Sequence, residues 1–263
     1  MKLKVLPYAM SSRSSKEIAR HFDPLRIQCD RKKTKYKPRE DHVILNWGYN
    51  GEPHPWMSRV SFGRFINAPH AVNFASNKLF CLERLSEREV DSVDYTTQRE
   101  VAREWIDQGF DVYCRQLTRG SQGRGIVVAH TADEIVSAPL YTKGVQAIKR
   151  EYRAHVFNGE VIDLVAKATR AGEDNANMEI RNHSNGWVFV RDAVTIPEAT
   201  RQQLVALAVD AVQAVDLQLG AVDIIRDEAD RLYVLEINTA PGLEGTTLER
   251  YVTELRNYVE CLG

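Results

Sequence analysis

The sequence predicts a mixed fold, an α/β unit at the N-terminus followed by an α+β half built on antiparallel strands. Apolar runs near the start alternate with a helix-like stretch, KLKVLPY then SSKEIARHF then HVILNW, which is the order of an α/β unit. In the second half, two pairs of strand-like runs are each joined by a short polar turn: 150–157 to 160–166 across Asn158-Gly159, and 221–225 to 233–237 across 226–231. Between the halves, runs at 110–116 and 126–129 flank the glycine-rich segment TRGSQGRG at 118–125, a hairpin whose backbone N–H groups could close over phosphate oxygens. Three domains are expected, 1–75, 76–140 and 141–263.

Residues 2–8 read as the first strand and 14–22 as a short helix with Ser14 as its N-cap. The apolar run 42–47 reads as a buried strand that stops at Gly48. Ligands gather beyond the carboxyl ends of strands in open α/β sheets, so Asn46, Trp47 and Asn50 are candidates for a substrate wall. A third strand near 65–67 closes the first unit around Phe74. Ser76 or Asn77 then caps a helix with Lys78 in its first turn, where the helix dipole is already positive. An anion at that helix start would be bound by the lysine and the free N–H groups together.

Residues 97–109 carry a helical stripe of Val101, Ala102, Trp105 and Ile106, with Gly109 past its end. A short helix starts at Thr131. Alternation over 150–157 places Glu151, Arg153 and His155 on one face of a half-buried strand. The polar stretch 171–185 reads as a loop offering Arg181 and Asn182, with His183 as a loop histidine. Residues 197–219 form the longest periodic segment, a core helix through Leu204, Ala208, Ala211 and Val215, and 248–262 a closing helix.

The last hairpin carries side chains that its pattern does not ask for. Asp223 sits within AVDII and Glu236 within VLEIN, each among residues expected to bury the strand. A carboxylate there costs several kcal/mol unless paired or bound to a cation. Asn238 points to the same side as Glu236 because strand side chains alternate. Two carboxylates and an amide on a rigid sheet form an incomplete shell of hard oxygens, suited to Mg²⁺ that keeps positions for water and phosphate.

Asp223 with Leu-Glu236-Ile-Asn238 and the following Pro241-Gly242 resembles the C-terminal signature of the ATP-grasp carboxylate–amine ligases, whose Asp, Glu and Asn hold Mg²⁺ on ATP. Asn77-Lys78-Leu-Phe is similar to the lysine segment that contacts nucleotide phosphates there. The glycine hairpin matches the family's lid, and Glu151-Tyr-Arg153 with the Gly-Glu-Val that follows matches its core strand. The resemblance covers residues 40–250, is strongest from Arg150 onward, and is to the compact members of bacteriophages and bacteria.

It implies an ATP-grasp fold: an N-terminal α/β domain, a small glycine-loop lid and a C-terminal antiparallel-sheet domain. It further implies ATP held by Lys78, Arg115, Ser121, Gly123, Gly125, Leu140, Tyr141, Thr142 and Glu151. Mg²⁺, or Mn²⁺ in its place, would sit on Asp223, Glu236 and Asn238. Arg153, Lys167, Arg170, Arg181 and Asn182 would act on the reacting groups of a carboxylate and an amine, small molecules or peptides, joined through an acyl phosphate. Arg115 stands where the family usually has lysine, and the two are not equivalent. A catalytically silent ATP-binding module and a phosphotransferase acting on a hydroxyl remain open alternatives.

Composition narrows the partners. With 35 Lys+Arg against 36 Asp+Glu among 263 residues, no global field calls for nucleic acid or an anionic membrane. The basic run at 31–39 is a solvated loop that offers nucleic acid a weak contact at most. Four cysteines without a C-x-x-C pair argue against zinc and against a disulfide framework. No leader opens the sequence and no apolar run approaches a membrane span, so a cytoplasmic protein is expected, in the host cytoplasm if viral, with a homodimer left open.

Overall fold

The computed structural model describes all residues except 30–33, 35, 121–122, 174–175 and 192–193. Much of the basic run, and Ser121, therefore lie outside the described residues. The N-terminal unit is a three-stranded parallel sheet in the order β1 (Lys2–Pro7), β2 (His42–Trp47), β3 (Phe65–Ile66), with α1 (Arg13–Arg20) between the first two strands. Ser12 caps α1 by accepting from the Ser15 N–H, and the expected cap Ser14 lies inside the helix. There its Oγ accepts instead from Leu243 N at 2.9 Å, tying α1 to the far end of the chain. Helices α2 (Pro69–Ala75) and α3 (Lys78–Glu87) follow, the second capped by Asn77 through the Leu79 N–H.

The middle of the chain forms a four-stranded sheet ordered β4-β7-β5-β6, from β4 (Tyr95–Thr96), β5 (Val112–Arg115), β6 (Ile126–Ala129) and β7 (Leu140–Lys143), with α4 (Arg99–Asp107) packed on it. Strands β5 and β6 are the arms of the glycine hairpin. The C-terminal half is a five-stranded antiparallel sheet ordered β10-β9-β8-β11-β12: β8 (Ile148–Phe157), β9 (Glu160–Thr169), β10 (Trp187–Val190), β11 (Leu219–Asp227) and β12 (Leu232–Asn238). α5 (Glu198–Ala214) precedes β11, and α6 (Gly245–Cys261) closes the chain. Asn158 and Gly159 both take positive φ in the β8–β9 turn, as a two-residue hairpin of this twist requires.

Two elements depart from the sequence reading. α5 stops at Ala214, where Asp216 at φ +57° turns the chain so that Leu219 can open β11. Strand β10 is left unassigned by the sequence: its four residues, WVFV, are too short a run to stand out from the polar segment before them.

Period-two alternation divides the large sheet into two functional faces. Tyr152, Ala154 and Val156 of β8, Leu164 and Ala166 of β9, and Val222 and Ile224 of β11 enter one core with Leu82, Leu85, Leu204, Ala208 and Val212. The intervening residues, Glu151, Arg153, His155, Lys167 and Asp223 among them, line a cleft on the other side. Strand β12 needs a bulge to obey this rule. Val234 and Glu236 share parity, yet Val234 is fully buried in the core while Glu236 lines the cleft. The register shift at Asp223/Ile224 inserts Leu235, which turns Glu236 to the face of Asp223.

A second core joins β1, β2 and α1 to α6, Phe157 and Leu219, so the N-terminal unit packs directly on the end of the large sheet. Asn67 fastens that contact: its Oδ1 accepts from Gln218 N at 3.0 Å and Leu219 N at 2.9 Å, and its Nδ2 donates to the Leu219 carbonyl at 2.7 Å. Asn67→Ala is expected to cost about 2–3 kcal/mol in urea unfolding, since Asn67 is 1% exposed and its loss leaves the backbone groups of Gln218 and Leu219 without their partner. A change under about 0.5 kcal/mol would show that water takes over those bonds. Among the described residues Cys81, Cys114 and Cys261 are free thiols, and no helix is long and apolar enough to cross a membrane.

Candidate active site

The cleft holds about 700 Å³ between the four-stranded sheet and the polar face of the five-stranded one. At its centre, Asp223 on β11 stands opposite Glu236 on β12 and opposite Arg153 on β8. Asn238 Nδ2 lies 3.4 Å from Asp223 Oδ2 and 3.3 Å from Glu236 Oε1, so the three side chains of the unexpected carboxylate pattern meet at one point. Arg153 grips Asp223 from the other side with a two-pronged bond, Nε to Oδ1 at 2.6 Å and Nη2 to Oδ2 at 2.7 Å. Burial pushes the Asp223 carboxyl up, but the Arg153 guanidinium more than offsets it and holds the group below its ordinary range.

Among the described residues no group of three or more His, Cys, Asp or Glu is placed to hold a metal. The donor set here is two carboxylates and an amide, which fits a hard divalent cation sharing its shell with water and phosphate. Asn238 presents its amide nitrogen to both carboxylates; the oxygen reaches the same point by a half-turn of the terminal amide, whose two orientations are sterically alike.

Arg115 ends β5 at the roof of the cleft, 6% exposed, with Nε donating to Thr142 Oγ1 at 3.2 Å. Burial lowers its pKa, and nearby Glu236 counters this, yet it forms no ion pair among the described residues. A guanidinium so placed brings into the cleft a charge with no direct ionic partner among the described residues. Lys78 lines an adjoining cavity of about 300 Å³ that shares Glu236 and Asn238 with the main cleft. Its Nζ is 3.8 Å from Glu236 Oε2 and donates to the Gly120 carbonyl at 2.7 Å, while its backbone N–H reaches the Thr118 carbonyl at 2.8 Å. The glycine hairpin is thereby drawn against the start of α3. Gly123, at φ +72°, meets Ile180: an added Cβ would fall 2.6 Å from the Ile180 Cγ2, so only glycine lets the hairpin approach the 176–185 loop.

Thr142 and Glu151 line the cleft with Arg115 and Gly123, whereas Leu140, Tyr141 and Gly125 do not. Leu140 and Tyr141 are sealed in the four-stranded sheet, where β7 pairs with β5 on one side and β4 on the other. The residues just beyond them, Lys143, Gly144 and Val145, form that stretch of wall instead.

Glu151 and Lys167 form a buried, hydrogen-bonded ion pair, and Lys167 Nζ also donates to the Arg181 carbonyl at 2.8 Å. Burial raises the Glu151 pKa and Lys167 opposes the rise. Arg181 lies over the Trp187 ring at 5.0 Å, and Asn182 caps the short turn at 183–185; both line the cleft. Arg170 is not in this group. It is exposed outside the cleft, its Nη2 held by the His183 carbonyl at 3.0 Å.

Sequence reasoning missed Phe189, whose ring lies 4.1 Å from the Arg153 guanidinium carbon and 5.3 Å from Lys167 Nζ, and Tyr8, which reaches both cavities. Phe189 was hidden because β10 was. Tyr8 follows the carboxyl end of β1, the position where the rule that singled out Asn46 and Trp47 would have found it. Those two residues are fully buried and line neither cavity, while Asn50 lines the smaller one.

Comparison with known proteins agrees with this geometry. A model of the RimK-like ATP-grasp domain matches residues 75–253. A probable alpha-L-glutamate ligase of Shewanella halifaxensis is 29% identical over 194 residues, 68% of this chain and 40% of that protein. A ribosomal protein bS6–L-glutamate ligase of Salmonella paratyphi B is 30% identical over 141 residues, 49% of this chain and 43% of that protein. The chain thus matches less than half the length of either curated relative. A crystal structure of D-alanine–D-alanine ligase from Bacillus anthracis superposes with a TM-score of 0.67, covering 98% of this chain and 92% of that one at 14% identity, a likeness of fold alone. Because the family match takes in the hairpin, the core strands and the Asp223–Glu236–Asn238 corner, and runs over more than half of the sequence, this chain belongs to the RimK-like ATP-grasp family.

Proposed function

We propose that the chain is an ATP-dependent carboxylate–amine ligase. The observation that carries this reading is the meeting of Asp223, Glu236 and Asn238 on one wall of a cleft whose opposite wall presents Arg115, a buried cation without an ionic partner among the described residues. A polyphosphate would supply the anion that Arg115 lacks, and Lys78 would meet it from the adjoining cavity. Asp223, Glu236 and Asn238 would hold Mg²⁺, or Mn²⁺, which neutralises charge on phosphate oxygens during transfer. A carboxylate oxygen of one substrate attacks the γ-phosphorus and ADP leaves. The amine of the second substrate then attacks the acyl carbon, inorganic phosphate departs and the nitrogen loses its proton to water. Arg153 and Lys167 stabilise the acyl phosphate through positive charge on the cleft floor, and the glycine hairpin excludes the water that would hydrolyse it. Arg181 and Asn182 close the wall beside Lys167. The names of the relatives point to an amino acid such as glutamate as one substrate.

Hydroxylamine supplies the test. With ATP, Mg²⁺ and a panel of carboxylates, the protein is expected to release ADP and to yield a hydroxamate, because hydroxylamine intercepts an acyl phosphate. ADP release with a phosphorylated hydroxyl product and no hydroxamate would replace the ligase reading with a phosphotransferase. Tight nucleotide binding without turnover would leave only a binding module.

A further inference from the structure

His155 and Tyr251 form a buried pair that the chemistry above leaves unused. His155 stands on the polar face of β8, two residues beyond Arg153, and lines the cleft although it is only 2% exposed. Its Nδ1 lies 2.9 Å from the Tyr251 hydroxyl, and its Nε2 takes no hydrogen bond among the described residues. Tyr251, on α6, is fully buried, with its ring roughly perpendicular to that of His155 at 5.5 Å and to that of Trp47 on β2 at 5.8 Å. The N-terminal unit thus holds it from behind. Burial raises the pKa of its phenol, so the hydroxyl keeps its proton.

That proton has one place to go. His155 Nδ1 is the hydroxyl's sole hydrogen-bond partner among the described residues, so an O–H that did not donate to it would be a buried bond left unmade. A ring nitrogen that accepts carries no proton, and the neutral imidazole then carries its proton on Nε2. The ring is neutral at physiological pH. The charges around it are Arg153 on its own strand, Asp163 opposite it on β9, Asp223 on β11 and Arg191 past β10, and Asp163 is itself taken up by Arg191 and by Arg250 of α6. Burial first, and then Arg153, push the His155 pKa down to about 3. The side chain therefore offers the cleft a neutral N–H donor, and it cannot serve there as a base.

Position selects what the donor meets. His155, Ala221 and Asn238 stand side by side on β8, β11 and β12, one row beyond Arg153, Asp223 and Glu236. Ala221 puts only a methyl group between the histidine and the amide. A substrate whose phosphoryl group rests on the proposed cation at Asn238 would lay its acyl end across that methyl group, toward Nε2. When the amine nitrogen adds to the acyl carbon, the carbonyl electron pair moves onto the acyl oxygen, where a fixed N–H stabilises it. The pair returns as the carbon–oxygen bond to phosphate breaks, and the nitrogen gives its proton to water. The first step has the opposite demand, because a carboxylate attacking phosphorus loses negative charge from its oxygens. A donor at this place therefore favours acyl transfer over phosphorylation.

We propose that His155, locked by Tyr251 with its proton on Nε2, donates a hydrogen bond to the acyl oxygen as the amine adds to the acyl phosphate. The proposal rests on the ligase reading and gives its second step a neutral donor beside Arg153. Tyr251 touches no substrate and is a positioning residue.

Two measurements on the full chain test it. Long-range proton–nitrogen correlation NMR of the labelled imidazole rings, with the His155 signals identified by their loss in His155→Gln, is expected to show a protonated Nε2 and a bare Nδ1 in the wild type. Tyr251→Phe should show a mixture of the two tautomers. A bare Nε2 in the wild type would overturn the proposal. Rapid-quench assays with ATP, Mg²⁺, hydroxylamine and the carboxylate that gives most hydroxamate then compare first-turnover ADP release with the hydroxylamine-dependent step. Relative to the first, the second should fall about 100-fold in His155→Leu, and about 10-fold in Tyr251→Phe and in His155→Gln, which keeps an N–H donor. Equal losses in both steps, or a loss in neither, would overturn the proposal. Melting temperature and nucleotide affinity report whether the variants are folded; if His155→Leu is not, the two milder variants and the tautomer decide. A wild type that forms no hydroxamate would instead overturn the ligase reading, so the two failures are told apart.

Discussion

Glu236→Gln is expected to leave the protein folded and to lower ATP turnover by about 10³-fold, measured as ADP release. The substitution keeps the shape of the side chain and removes only its charge. Structurally it is mild, because the Glu236 side chain is 30% exposed and its nearest cation, Lys78, stands 3.8 Å away. An ion pair of that length and exposure contributes about 0–1 kcal/mol, so the melting temperature should move little. Chemically it is severe. Glu236 touches both cavities, lies within 3.3 Å of Asn238 and faces Asp223, whose two oxygens are already held by Arg153. Of the two carboxylates at the proposed cation site, Glu236 is thus the one not gripped by an arginine. Calorimetry of nucleotide binding should show the loss concentrated in the Mg²⁺-dependent part of the affinity. Turnover within a few-fold of wild type would mean that the cation, if any, is held elsewhere.

The candidate site was legible in the sequence where local pattern encodes it, and obscure where the third dimension does. Asp223 and Glu236 announced themselves because a carboxylate inside an apolar strand conflicts with its surroundings, and such a conflict is visible without a fold. Glu151, Arg153 and His155 followed from parity along one strand, which the cleft lining matches. The bulge at Leu235 was invisible: by parity Val234 and Glu236 should face the same side, and only the register between β11 and β12 shows that they do not. Asp163 on β9 is hydrogen-bonded to Arg191, 28 residues away, and to Thr247, 84 residues away, so no window could join these cleft-side residues. The cleft-lining residues Lys143 to Val145 sit immediately after the segment singled out, an offset that local pattern does not resolve.

Arg153→Met should be the most damaging single change to stability, costing about 3–5 kcal/mol in urea unfolding. The variant keeps the length and apolar stem of the side chain, which lies over the Phe189 ring. What it loses is the two-pronged partner of Asp223, a side chain only 3% exposed. Breaking one half of a buried pair leaves the other half desolvated and uncompensated, and that penalty exceeds the worth of the pair itself. The double variant Arg153→Met with Asp223→Asn removes both charges together, so it should recover most of the lost stability, with an interaction energy of about 2–3 kcal/mol in the double-mutant cycle. Activity should not follow. Both variants are expected to form no hydroxamate, because one lacks the cation beside the proposed acyl phosphate and the other lacks a carboxylate of the proposed cation site as well. The stability result isolates the ion pair from the chemistry: simple additivity of the two substitutions would show that water reaches Asp223 freely, and the polar face of the sheet would then be a wet surface rather than a closed reaction floor.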